Sequence, residues 1–325
     1  MKKLITILAM ALPGALFAVP KVESLGDLRQ VETRVKAVVE TRTDCTISLV
    51  SPELGASGSG VIVSADGLIL TAAHVVEGSR EMTVIFPNGS QAKAKVLGAN
   101  YNRDAAMAQL VGEGPWPFAE VGDSAALEVG DFVVAMGHPK GYDPTRRPPV
   151  RFGRIMNKGD LGFITTDCTL IGGDSGGPVF DLDGRVIGIH SHIASDRQVN
   201  RHAGVTGFKS SWQKMLDGKT WGKLGTNGAD PNRPVLGLVL EPAEGGMQVK
   251  EARDGSPAFT SGIRTGDLVV EIAGLEISDP NRLNNIFADY QAGEKVPVII
   301  YRDGKEETKT VTLGRLGEIY KTYRR

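Results

Sequence analysis

Only two cysteines, Cys45 and Cys168, occur in 325 residues. A disulfide-stapled scaffold and a thiolate-rich metal cluster are thereby excluded. An oxidising compartment would permit one bridge, Cys45 to Cys168, and the alternative is two buried free thiols. No cysteine or histidine spacing resembles a metal-ligand set, so neither a metal nor another cofactor is expected. Excess charge of either sign is also missing. Lys plus Arg total 37 against 38 Asp plus Glu, which leaves no overall basic field to hold nucleic acid or an anionic membrane. Beyond the N-terminus no apolar run approaches the ~20 residues of a spanning helix.

What the chain does have is a globular balance, 41% hydrophobic and 23% charged, with 41 glycines. Glycine well above the usual ~7% suits many tight turns between short strands. At ~150 residues per domain the length favours two or three folded units.

Residues 1–18 open with Lys2 and Lys3, run apolar from Leu4 to Phe17 with a break at Pro13 and Gly14, and end at Ala18. This is the order of a secretory signal, with cleavage expected near Ala18, and the run is short for an anchor. The protein is therefore expected in an exported, periplasmic or cell-envelope compartment. Residues 19–44 read as an amphipathic helical segment, with Leu28, Val31, Val35, Val38 and Val39 at helical spacing.

Strand-like runs follow at 46–50, 61–64, 68–71, 82–86 and 105–110, then at 132–136, 151–156, 162–166, 178–181, 186–189 and 205–208. Turn signals separate them, and no long helix intervenes, so residues 45–216 are expected to form two β-barrels or sandwiches. Residues 217–234 are rich in Gly, Asn, Asp and Pro and read as a linker. Residues 235–315, with five more strand-like runs and a helix near 281–290, form a third unit of a size that folds alone. Residues 316–325 are left as a tail.

The stretch Gly172-Gly173-Asp174-Ser175-Gly176-Gly177-Pro178 carries the chemistry. Its glycines let the backbone turn sharply and expose a serine oxygen beside successive N–H groups. A serine nucleophile needs a general base held in one tautomer by a carboxylate. Of five histidines only His74 lies at the end of a strand-like run of the first β unit, in Thr71-Ala72-Ala73-His74, and Asp104 follows in Asn102-Arg103-Asp104 just before another. The order His, Asp, Ser is that of chymotrypsin.

On these residues the chain resembles trypsin-like serine proteases, and within them the HtrA/Deg proteases that carry a PDZ domain; Gly58-Ser59-Gly60-Val61-Ile62 and Asp66-Gly67-Leu68-Ile69-Leu70-Thr71 add to the likeness. The resemblance implies a mainly β protein, a double β-barrel followed by a β-rich α+β PDZ unit. It implies Ser175 as nucleophile, His74 as general acid and base, Asp104 as orienting carboxylate, and the N–H groups of Gly173 and Ser175 as oxyanion hole. Unfolded or extended polypeptides are the implied substrates. Val235-Leu236-Gly237-Leu238 resembles a PDZ carboxylate-binding loop, so Leu236, Gly237 and Leu238 are expected to capture peptide C-termini. A non-catalytic peptide-binding or chaperone-like protein with a misaligned triad is the alternative.

Two departures stand out. Asp174 precedes the serine where HtrA proteins usually carry Asn, and a buried carboxylate there needs a partner. HtrA-type homo-oligomers commonly rest on aromatic residues ahead of the protease unit, whereas this chain has no Phe, Tyr or Trp from Val19 to Ile85. The pocket for the side chain before the cleaved bond maps by resemblance onto Thr169, His190 and Lys209. His190 lies where bacterial glutamyl endopeptidases place a carboxylate-recognising histidine, which implies an acidic preference; the alternative is a His190 hydrogen-bonded inside the second barrel with Lys209 turned to solvent.

Overall fold

The computed structural model describes residues 22–193, 200–224 and 230–322. The signal-like residues 1–18 lie outside them. Helix α1 (Leu25–Arg42) starts at a capping box in which the Asp27 N–H donates to Ser24 Oγ and the Ser24 N–H to Asp27 Oδ2. Those two bonds satisfy donors that a helix start leaves orphaned. The helix buries Val31 and Val38, and Arg34 pairs with Asp183 at 2.6 Å.

Six strands then form the first barrel: β1 (Thr46–Val50), β2 (Ser57–Ile62), β3 (Leu68–Thr71), β4 (Glu81–Ile85), β5 (Gln91–Asn100) and β6 (Ala105–Val111), in the order β5-β4-β1-β2-β3-β6 and closed by pairing of β5 with β6. A one-turn helix, α2 (Ala73–Val76), follows β3. The second barrel contains β7 (Phe132–Met136), β8 (Val150–Lys158), β9 (Phe163–Thr166), β10 (Pro178–Phe180), β11 (Val186–Ile193) and β12 (Asn200–Gly204), ordered β10-β11-β12-β9-β8-β7 and closed. Closure removes the edges at which short strands would otherwise pair with other chains. Ile47, Leu49, Ile62 and Ile69 share one buried face of the first barrel and Leu70 and Met107 the other, and Val133, Ile155, Ile164, Val179 and Ile187 form the core of the second.

Two expectations change here, and the open reading of the cysteines is decided. Residues 205–208, read as a strand, open helix α3 (Val205–Leu216), whose buried Val205, Phe208, Ser211 and Met215 repeat at a helical period that a four-residue window does not reveal. The stretch read as a linker holds β13 (Thr220–Trp221), which pairs parallel to β5 and buries Trp221. Cys45 and Cys168 are free rather than bridged. They sit in separate cores, Cys45 in the first barrel's and Cys168 in the second's. Burial pushes the Cys45 thiol up to about 12 and that of Cys168 to about 11, which leaves both without reactive thiolate.

The C-terminal unit comprises β14 (Pro234–Val235), β15 (Leu238–Ala243), β16 (Gly246–Ala252), α4 (Pro257–Thr260), β17 (Leu268–Ile272), β18 (Leu275–Glu276), α5 (Pro280–Phe287), β19 (Lys295–Arg302), β20 (Lys305–Thr312), β21 (Gly314–Arg315) and α6 (Leu316–Thr322). Its main sheet runs β15-β16-β17-β19-β20, with β18 paired to β17, around a core of Met247, Val249, Val269, Ile272, Val298 and Ile300. Strand β15 is an edge of that sheet, and α5 packs beside it.

Candidate active site

His74 sits in α2 directly after β3, and Asp104 ends the turn between β5 and β6 with φ of +51°. Both face the seam between the barrels. His74 Nδ1 lies 3.0 Å from Asp104 Oδ1 and 2.9 Å from Oδ2, and the His74 backbone N–H also donates to Oδ1 at 3.1 Å. Asp104 is fully buried, and its remaining capacity is used by the Ser191 hydroxyl, which donates to Oδ2 at 2.5 Å. Burial alone would lower the pKa of His74. The hydrogen bond and charge of Asp104, with a smaller push from Glu77, outweigh it and hold the imidazole above its ordinary value.

Ser175 lies on the turn before β10, across the seam. Its carbonyl accepts the Ser59 N–H of β2 at 2.7 Å, so the first barrel grips the serine turn of the second. No hydrogen bond joins the Ser175 hydroxyl to His74 among the described residues. Around Ser175 the N–H groups divide cleanly. Those of Asp174, Gly176 and Gly177 donate to Ile171, His190 and Asp174 carbonyls, whereas those of Gly173 and Ser175 have no acceptor among the described residues. The Gly172 carbonyl accepts the Lys140 N–H at 2.7 Å, and the Gly173 carbonyl accepts the Ser59 hydroxyl at 2.8 Å. Because a trans peptide points its N–H opposite to its C=O, the first bond turns the Gly173 N–H away from Lys140. Gly173 has φ of +99°, and a Cβ there would meet Lys140 N at 2.5 Å, so only glycine suits this turn.

Asp174, fully buried, has found its partner. Arg151 of β8 binds it through two guanidinium nitrogens at 3.0 and 2.7 Å, and the Ile171 N–H donates at 2.9 Å. Burial raises the carboxyl's pKa against the opposing pull of Arg151. The segment from Ile171 to Gly177 is thus anchored through its central side chain.

The Asp104 turn is also the place where the C-terminal unit docks. Arg103, buried, meets Asp289 at 2.6 and 2.7 Å and the Asn285 carbonyl at 2.7 Å. Asn100 and Ser211 add bonds of 3.1 and 2.8 Å to Asp289 Oδ1, and the Trp221 indole donates to the Ala288 carbonyl at 3.0 Å. The residues just after α5 are therefore bonded to the loop that holds Asp104.

Of the two readings of the pocket, the structure agrees with the internally bonded histidine. His190 is fully buried inside the second barrel, with Nδ1 at 3.0 Å from His202 Nδ1 and Nε2 at 3.0 Å from the Met136 carbonyl. Burial and the neighbouring His202 push its pKa well down, so it presents no cation to a substrate. Lys209 is exposed on α3 instead of lining a strand, and Thr169 is exposed on the segment leading to the serine turn. Sequence reasoning missed Ser59, Arg151, Ser191 and Asp289. Only Arg151 had a signal, the need of Asp174 for a cation.

In the C-terminal unit Gly237 has φ of +77° and Leu238 opens edge strand β15, with Leu236 buried beneath. The loop expected to hold a carboxylate therefore stands at the end of an open edge flanked by α5.

Comparison with known proteins agrees with this architecture. Residues 58–189 match the family profile of the trypsin-like peptidase domain, and residues 234–313 that of the PDZ domain. The chain is 34% identical over 266 residues to a probable periplasmic serine endoprotease DegP-like of Rickettsia conorii, covering 77% of this chain and 52% of that one. The corresponding protein of Ectopseudomonas mendocina is 33% identical over 279 residues, with 80% and 57% covered. The chain spans about half the length of the curated relatives it matches. In fold it is similar to the HtrA-type protease AlgW with tripeptide, with a TM-score of 0.64 and 24% identity over 86% of this chain and 96% of that one. It is also similar to the serine endoprotease from Yersinia pestis, with a TM-score of 0.61 and 22% identity over 86% and 97%. The chain thus joins a trypsin-like peptidase domain to a PDZ domain, the arrangement of the HtrA-type proteases it resembles in fold.

Proposed function

We propose that the protein is a serine endopeptidase that hydrolyses extended or unfolded polypeptides of an exported, periplasmic compartment, the location given in its relatives' names. The observation that carries the reading is the pair of N–H groups, Gly173 and Ser175, left without acceptors beside the serine hydroxyl. Two such donors suit the oxygen of a tetrahedral intermediate, and each is worth ~3 kcal/mol of barrier in enzymes of this chemistry. Ser175 Oγ attacks the scissile carbonyl. His74, its Nδ1–H held by Asp104, takes the serine proton at Nε2 and returns it to the leaving amine. Water then attacks the acyl-enzyme with His74 again as base, releasing the acyl product and freeing Ser175.

The C-terminal unit is proposed to bind peptide C-termini by adding a strand to the β15 edge, with the terminal carboxylate at Leu236, Gly237 and Leu238. A second reading, a non-catalytic peptide-binding or chaperone-like protein, is favoured by the missing Ser175 to His74 bond. Catalytic hydrogen bonds often close only when substrate is bound, so that gap weighs less than the preformed N–H pair. Unfolded casein incubated with wild type and Ser175→Ala decides between them. Cleavage by wild type alone supports the protease, and equal, negligible cleavage by both refutes it.

A further inference from the structure

Between the second barrel and the PDZ unit lies a cavity of about 870 Å³. One end adjoins the active site. His192 on its wall follows Ser191, the donor to Asp104, and its ring centroid is 6.3 Å from that of His74. At the other end Arg233 and Arg315 stand where β14 pairs with β21.

The lining is cationic. Among its described residues Arg201, Lys223, Arg233 and Arg315 outnumber a single carboxylate, Asp230. Elsewhere in the molecule Arg103, Arg151 and Arg302 each take both oxygens of a carboxylate. In the cavity Arg201 instead lies over the Phe163 ring at 4.4 Å, and neither it nor Arg233 has an ion pair among the described residues. Among the described residues Arg315 has an ion pair only with the exposed Glu318, at 3.8 Å. Guanidinium groups gathered around one space with little internal anion to neutralise them favour an anionic occupant.

The backbone supplies the route by which one would arrive. Strand β11 pairs with β10 as far as Ile189 and with β12 as far as Ile193, so residues 191–193 keep one edge without a strand partner among the described residues. An extended peptide added antiparallel at that edge has its C-terminal direction toward Ser175, since Gly176 and Gly177 bond to His190. Its preceding residues run beside His192, whose register partner across β11 and β12 is Arg201. Register partners project from the same face of the sheet.

We infer that this cavity receives the residues N-terminal to the cleaved bond and selects acidic side chains at the second to fourth positions before it. The inference rests on the protease reading above. It places the specificity for acid outside the His190 pocket, and it needs the β14–β21 pair that flanks the PDZ domain, where Arg233 and Arg315 stand.

The test uses two fluorescent peptides that share a cleavable sequence, one with Asp or Glu at those three positions and the other with Asn or Gln. Binding to full-length Ser175→Ala is read by anisotropy, and cleavage by wild type as kcat/KM. The expected result is a preference of about ten-fold for the acidic peptide in both readouts, shrinking with added salt. Arg201→Gln with Arg233→Gln should bring the ratio near one, whereas Arg201→Lys with Arg233→Lys, which keeps the charge, should retain most of it. Equal binding and cleavage of the two peptides by the native cavity would overturn the inference and leave the protease reading intact. Arginine-dependent binding without any cleavage would support the cavity and refute the protease.

Discussion

Replacing Arg151 by methionine isolates what the buried ion pair does for the serine turn. The change removes two charge-assisted bonds of 3.0 and 2.7 Å and leaves the fully buried Asp174 carboxylate with the Ile171 N–H as its remaining donor. An uncompensated buried charge escapes by taking up a proton. Against an unfolded pKa of ~3.9, protonation near pH 7 costs at most about 4 kcal/mol, at 1.36 kcal/mol for each pH unit. That ceiling agrees with the roughly 3–5 kcal/mol typical of breaking a buried pair from one side. The sign in pH follows from proton linkage. Asp174 already has a raised pKa with Arg151 present, and removing the cation raises it further, so the folded variant binds more protons than its unfolded chain. Its deficit therefore grows as pH rises above the unfolded pKa, and near pH 5 the same ceiling is only about 1.5 kcal/mol. Urea unfolding at the two pH values reads this difference. Because Asp174 lies between Gly173 and Ser175, a displaced turn should also lower kcat by roughly 10²-fold or more, the loss typical of one oxyanion donor. Asp174→Asn added to Arg151→Met removes the stranded charge and should recover most of the lost stability. A single variant that matches wild type in both kcat and urea midpoint would refute the reasoning.

The parts legible in the sequence are those whose signal is local. Ser175 stands out because glycines crowd one turn, His74 because it closes a strand, and Asp104 because its turn precedes another. Strand periodicity and turn residues likewise carried the two barrels, since alternation and glycine act over a few residues. Arg151 was invisible despite the evident need of Asp174, because the pair is formed by barrel closure across 23 positions, and many arginines could have filled the role. Asp289 was less accessible still, at 186 positions from Arg103 and in another unit. The error at Lys209 had the opposite origin. Residues 205–208 are apolar enough for a strand, and only the continuation through Ser211 and Met215 reveals the helix. His190 was placed by resemblance alone, and the pairing of its ring with His202 depends on the register between β11 and β12.

Several further outcomes can be measured. The acid limb of kcat/KM should fall above the ordinary histidine value of ~6.5, because His74 must be neutral to act as base and Asp104 raises its pKa; Asp104→Asn should move that limb down and lower kcat by about 10⁴-fold. Native protein should leave both thiols unmodified by a water-soluble thiol reagent, and a reductant should not change its melting temperature, since Cys45 and Cys168 are buried and unbridged. Gly237→Val should abolish binding of free peptide C-termini, because φ is +77° there and a Cβ would press on Ser256, and amidating the peptide should weaken its binding to wild type. Asp289→Ala should act on both stability and catalysis. It strands Arg103, which would keep only the Asn285 and Leu161 carbonyls as acceptors, at a cost of about 3–5 kcal/mol for a pair broken from one side. Arg103 is peptide-bonded to Asp104, so its relaxation should loosen the carboxylate that orients His74 and reduce kcat more than it raises KM. Loss of urea stability with kcat unchanged would show that the docked PDZ unit supports the fold alone and leaves the catalytic turn indifferent to it.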